Sequence, residues 1–222
     1  MDHLKVFLHS LYLNGGGHWP IVLDLIDGDK SIDAKLKAIN PDILIINHVT
    51  SEIIDVPEKE RDDIPLYNLN VMWSRPLGIV KMLKQGYGKL LTMDTDIIIR
   101  GDISKLWEDL KPGTIKWHYR PDKKKVGTKV QGGVIAFGNS PEIRQYYNKV
   151  IERCQQNKGP FVMQESLYYV YMEMKPRLID IGRKYNDDGV FEKSSRIWHC
   201  KHGHYEDKPW KKEYEKYLIG VK

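Results

Sequence analysis

Two aspartates, Asp94 and Asp96, close the apolar run Lys89-Leu-Leu-Thr-Met93 and precede a second one, Ile97-Ile-Ile99. Side chains at i and i+2 of an extended backbone point to the same side, so the two carboxylates can aim at one point. Like charges so placed repel unless a cation lies between them. The pair therefore offers a divalent-metal site of hard oxygens at a strand end, of the kind that bridges the diphosphate of a nucleotide. The bland alternative is a surface turn. A second cluster, His199-Cys-Lys-His-Gly-His204, packs three imidazoles and a thiol into six residues. It could hold structural zinc, but the chain has no further Cys/His pair at ligand spacing. One histidine serving the same metal as the aspartates is the better reading.

These groups need elements to place them. Strands are predicted at Val6–Ser10, Asp42–Asn47, Lys89–Met93, Thr114–Tyr119, Val130–Phe137, Arg177–Ile181 and Arg196–Cys200. Helices are predicted at Pro20–Ile26, Ser31–Ile39, Val71–Gln85, Pro141–Gln156 and Phe161–Met174, with a capped turn at Asp102–Trp107. Alternating strands and helices imply an α/β fold with a mostly parallel central sheet flanked by helices, in one domain over residues 1–222. In such sheets ligands gather outside the carboxyl ends of the strands, where Asp94 and Asp96 fall. The loop Asn14-Gly15-Gly16-Gly17 is either a plain turn or an entry for a nucleotide whose base would stack on Tyr12. Trp107 and Trp210 read as core aromatics. Trp117 and His118, at a strand end, could meet an acceptor, and Lys123–Lys125 read as part of a solvated loop.

Composition narrows the class. The chain has 222 residues, is 41% hydrophobic and 10% aromatic, and contains six tryptophans, which suits one packed domain rather than disorder. A net charge of +5 suits an anionic small-molecule substrate. It also suits weak nucleic-acid contact, but the basic stretches lack the interleaved aromatic and glycine pattern of an RNA-binding sheet. Two cysteines far apart are expected to be reduced thiols. There is no apolar run of membrane-spanning length and no signal-peptide core, so a soluble, cytoplasmic protein is expected.

Several blocks in order resemble the glycogenin-like retaining glycosyltransferases, family 8. Leu91–Trp107 is similar to the family block LDxDxxxxxDIxxLW, and Val130–Ile135 to FNxGV with Gln131 in place of Asn. Met163-Gln-Glu-Ser-Leu167 resembles DQDxLN, Leu178–Asn186 resembles LPxxYN, and Ile197–Trp210 resembles the closing IHFxGxxKPW. The likeness spans Val71 to Trp210. It implies a GT-A fold, with a Rossmann-like nucleotide-binding part at about 1–100 and an acceptor and catalytic part at about 101–222. It implies Mn²⁺ or Mg²⁺, a UDP-sugar donor, a carbohydrate or glycoprotein acceptor, and hexosyl transfer with retention.

Carried over by position, the resemblance makes Asp94, Asp96 and His199 the metal ligands, with Asp94 also touching the nucleotide ribose. Lys208 and Arg75 would neutralise the diphosphate, and Gly203 would let backbone approach it. Gln131 and Gly133 would border the sugar, while Gln164 and Glu165 would face the anomeric carbon. The family has Gly three residues after His and Lys three after Gly; here the intervals are four and five, which keeps His202 open as the ligand. An inverting enzyme would instead need a carboxylate base, for which Glu165, Asp187 and Asp188 are candidates. A nucleotidyltransferase is the nearest competing reading, although its basic glycine-rich phosphate loop is missing after Gly17.

Overall fold

The computed structural model describes residues 2–26, 29–49, 66–156, 162–200 and 206–219. They form a mixed α/β structure whose contacts divide into two compact units. The first gathers Met1–Val49, Met93–Glu108 and Ile181–Lys222; the second gathers Thr50–Thr92 and Asp109–Asp180. Neither unit is one continuous stretch of chain, so the division does not follow an amino half and a carboxyl half. Among the described residues no helix is long and apolar enough to cross a membrane.

The first unit opens with α1 (Asp2–Asn14), where the sequence predicted a strand at Val6–Ser10. A short run with three apolar residues, Val6-Phe7-Leu8, looks the same in either state; length and end signals decide. Thirteen residues without Gly or Pro bury Val6, Phe7, Leu8, Ser10 and Leu11 on one side. The Gly15 N–H bonds the Leu11 carbonyl at 2.8 Å, and Gly16 then takes φ +80°, a helix stop that glycine reaches without steric cost. The stretch predicted as a helix from Pro20 is β1 (Ile21–Ile26) instead. Ile21 and Leu23 are buried and Asp24 is exposed, a period of two rather than 3.6. β1 pairs in parallel with β2 (Ile43–Val49), and α2 (Asp33–Ile39) lies between them in sequence.

The other sheet of this unit is ordered β4 (Ile97–Ile99), β9 (Ile197–His199), β8 (Asp187–Asp188). β4 runs antiparallel to β9, and β8 runs parallel to it. α1 packs on β4 and on α6 (Lys208–Ile219). Asn14 Nδ2 clamps this arrangement by donating to the Ile99 carbonyl at 2.9 Å and to the Tyr217 hydroxyl at 2.8 Å. Ile98, Trp198, Cys200, Trp210 and Tyr217 fill the core, each large side chain contributing about 1.5–3 kcal/mol by burial. Trp210 is a core aromatic, as expected.

The second unit has one four-stranded sheet, ordered β3 (Lys89–Met93), β6 (Val130–Gly138), β5 (Thr114–Tyr119), β7 (Arg177–Asp180). β5 is antiparallel to β6 and parallel to β7. Helices α3 (Leu66–Lys84), α4 (Pro141–Gln156) and α5 (Val162–Met174) pack on one another around Trp117, Phe137, Tyr146, Val150 and Leu167. The parallel pairs are thus spread over three sheets rather than collected in one. β3 ends at Met93, where the chain passes into the first unit and delivers Asp94.

Candidate metal centre

The chain turns between β3 and β4 over Asp94-Thr95-Asp96. Antiparallel pairing sets Ile97 opposite His199, and the Cys200 N–H bonds the Asp96 carbonyl at 2.9 Å. The end of β9 is therefore tied to the acidic turn by main-chain geometry. Strand alternation then sends Trp198 and Cys200 into the core and His199 to the opposite face.

His199 Nε2 lies 3.3 Å from Asp94 Oδ2 and 3.2 Å from Asp96 Oδ1. These separations are those of hydrogen-bonded or ion-paired groups, and they also match the roughly 3.0–3.3 Å between neighbouring ligand atoms bound about 2.1–2.3 Å from one octahedral cation. The imidazole is 2% exposed, and its other nitrogen, Nδ1, is 3.1 Å from Asn186 Oδ1. An oxygen facing Nδ1 favours the proton there, so that Nε2 can offer its lone pair to a cation held with the two carboxylates. A histidine with its tautomer fixed by an outer partner is how proteins present a metal ligand. Two carboxylates and one such imidazole are a donor set that suits Mn²⁺ or Mg²⁺; among the described residues this is the cluster of His, Cys, Asp and Glu groups able to hold an ion.

Burial pushes the Asp96 carboxyl up, but the hydrogen bond and charge of His199, its own N–H and the charge of His3 outweigh it, leaving it below the ordinary value. The site thus favours the ionised acid that a metal needs. Cys200 goes the other way: burial, then the charges of Asp96 and Asp207, push its thiol up to about 12. The thiol also lies in the core, on the strand face opposite His199. His202, His204 and Gly203 lie outside the described residues.

The remaining expected residues are placed as follows. Lys208 is the exposed first residue of α6, in the same unit as the acidic turn. Arg75, Gln131, Gly133, Gln164 and Glu165 belong to the second unit. Arg75 Nη2 donates to Thr92 Oγ1 at 3.2 Å, on the strand that leads to Asp94. Gln131 and Gly133 are buried on β6, and Gln164 and Glu165 are half-buried in the first turn of α5. A Cβ on Gly132 would stand 3.6 Å from Gln164 Cγ, so α5 presses its first turn onto the glycine pair.

One sequence reading needs correcting. Asp187 is no free base: Oδ1 accepts from the N–H groups of Val190 and Phe191 at 3.2 and 3.1 Å, and Oδ2 from the Glu192 N–H and the Ser195 hydroxyl at 2.7 and 2.8 Å. It organises a loop. In the three-glycine loop a Cβ on Gly16 would fall 2.0 Å from Asp102 Oδ1, so the turn packs closely there. Reasoning from sequence missed Asn186, although it closes a quoted block, and His3, which stands in no motif.

No family model and no curated protein matches the sequence. Solved structures do. One titled WbbM bifunctional glycosyltransferase, apo structure, superposes with a TM-score of 0.70 at 9% identity, covering 99% of this chain and 49% of that one. Mouse xyloside xylosyltransferase 1, apo form, superposes with a TM-score of 0.55 at 12% identity, covering 90% of this chain and 91% of that one. The chain spans about half the length of the first. At such identities the likeness establishes a shared fold, that of glycosyltransferase domains.

Proposed function

We propose that this protein is a metal-dependent glycosyltransferase of GT-A type that moves a sugar from a UDP-sugar to a carbohydrate or glycoprotein acceptor with retention. The observation that carries the reading is the convergence of Asp94, Asp96 and the tautomer-fixed imidazole of His199. The fold shared with glycosyltransferase domains and the order of sequence blocks support it. Asp94, Asp96 and His199 would hold Mn²⁺ or Mg²⁺, which when bound offers positive charge to the diphosphate. Lys208 and Arg75 would add positive charge against the charge that develops on the leaving phosphate as the anomeric bond breaks. Gln131 and Gly133 would border the sugar, and Gln164 with Glu165 would face its anomeric carbon. Gly203 would permit backbone approach to the diphosphate.

The test is isothermal titration of UDP and a panel of UDP-sugars with and without Mn²⁺, followed by UDP release. Metal-dependent UDP binding that Asp96→Ala abolishes is the expected result. Equal UDP binding by the wild type and Asp96→Ala at saturating Mn²⁺ would remove the site assignment. An NMR spectrum of the product showing the inverted anomer would remove retention.

A further inference from the structure

The geometry points to His118, held by Asp180, as the residue that accepts a hydrogen bond from the acceptor hydroxyl. The inference rests on the transferase reading and adds to it a binding residue and a positioning residue.

β5 and β7 run parallel with Trp117 opposite Asp180, so His118 and Asp180 both sit at the carboxyl ends of their strands. That is where α/β sheets collect ligands. Asp180 Oδ1 accepts from the Tyr119 N–H at 3.1 Å and lies 3.2 Å from His118 Nδ1. The backbone donor fixes the carboxylate, and the carboxylate fixes the imidazole. With its proton on Nδ1, His118 carries a lone pair on Nε2, an acceptor for an O–H group. The imidazole is 14% exposed, enough to be reached and too little to swing freely.

The neighbouring strand is deformed at this point. Trp117 pairs with Ile135, but the next residue, His118, pairs with Gln131. Gly132, Gly133 and Val134 are left over on β6, an enlarged bulge of the sort that re-aims side chains beside active sites. The slip sets Gln131 directly across from His118, and residues directly opposite share a sheet face. It also opens the glycine surface on which Gln164 rests. The residues proposed to handle the sugar, Gln131 and Gln164, therefore surround the same strand ends as the His118–Asp180 pair. A hydroxyl that donates a hydrogen bond to Nε2 would be held with its oxygen lone pairs turned away from the imidazole, and Asp180 would act only by orienting the ring.

The probes are p-nitrophenyl glycosides as acceptors, with the UDP-sugar that the wild type hydrolyses in the presence of Mn²⁺. His118→Ala should raise the acceptor KM about tenfold or more, the loss of one well-made hydrogen bond. Mn²⁺-dependent UDP binding should stay within twofold, since His118 meets the acceptor and not the donor. Asp180→Asn should move the ¹⁵N signature of the His118 imidazole away from the Nδ1–H tautomer and raise acceptor KM by a smaller factor, a result that merely structural damage would not give. Unchanged acceptor KM in His118→Ala with UDP binding intact overturns the inference alone. An unchanged ¹⁵N signature in Asp180→Asn overturns the role of Asp180. A wild type that shows no Mn²⁺-dependent UDP binding or hydrolysis removes the transferase reading, and the inference with it.

Discussion

Asp187 and the Asp94–Asp96 pair stand in the same unit and answer the same problem, negative charge removed from bulk water, in opposite ways. Asp187 is fully buried and receives four protein hydrogen bonds, three from main-chain N–H groups and one from Ser195. Asp94 and Asp96 are about one-third exposed and converge on Nε2 of one imidazole. The first carboxylate is satisfied by donors and shapes the chain from Asp187 to Ser195. The second pair sets two carboxylates and an imidazole nitrogen around one point, within reach of a single cation. The four donors on Asp187 mark it as a residue that shapes its loop, which residue type alone does not.

The largest effect that separates them is on activity. Asp96→Ala should lower Mn²⁺-dependent UDP-sugar turnover by about 10²–10³-fold or more, because charge stabilisation at the departing phosphate depends on the metal. Its melting temperature should stay within a few degrees of wild type, since a repelling carboxylate is removed. Turnover at the wild-type level would erase the distinction. Asp187→Ala should do the reverse: stripping four donors of their acceptor should cost about 3 kcal/mol or more, or roughly 6–12 °C in a chain of this size. A thermal melt that superposes on wild type would show that the loop stands without it.

Asn186 sharpens the comparison, because it reaches the site through His199. Asn186→Ala removes the oxygen that fixes the His199 tautomer and should weaken Mn²⁺ binding by about 10–100-fold, read by calorimetry. Affinity unchanged by the substitution would mean that the imidazole is oriented by packing alone.

How much of this was readable beforehand depends on whether the deciding interaction is local. The acidic turn and its delivering strand were legible because Lys89–Met93 is an apolar run ending in charge. His199 was legible only through the order of blocks, and the main-chain pairing of Ile97 with His199 shows why its altered spacing to Gly203 does not move it off the site. α1 was misread because Val6–Ser10 alone carries no sign of its state; the helix is settled by contacts with β4 and α6 far along the chain. The bulge that sets Gln131 against His118 was hidden for a related reason. A register slip is a property of two strands, and one strand's sequence records it only as a glycine pair.

A third carboxylate tests the comparison at its weak end. Asp102 is exposed, yet its carboxyl is held below the ordinary value of 3.8, first by the Ser104 N–H, which bonds Oδ1 at 2.7 Å, and then by the Ser104 hydroxyl. It resembles Asp187 in drawing protein donors and differs in lying in water, so its contribution should be small and dependent on pH. A depressed folded value gives stability that is fully present above the unfolded value and is lost as pH falls through the folded one. Between pH 5 and pH 3 the wild type should therefore lose slightly more melting temperature than Asp102→Asn, whose amide oxygen can still accept from Ser104 but does not titrate. Parallel melting curves across that window would mean that the charge adds nothing to the turn, and that donors matter for a carboxylate only where water is shut out.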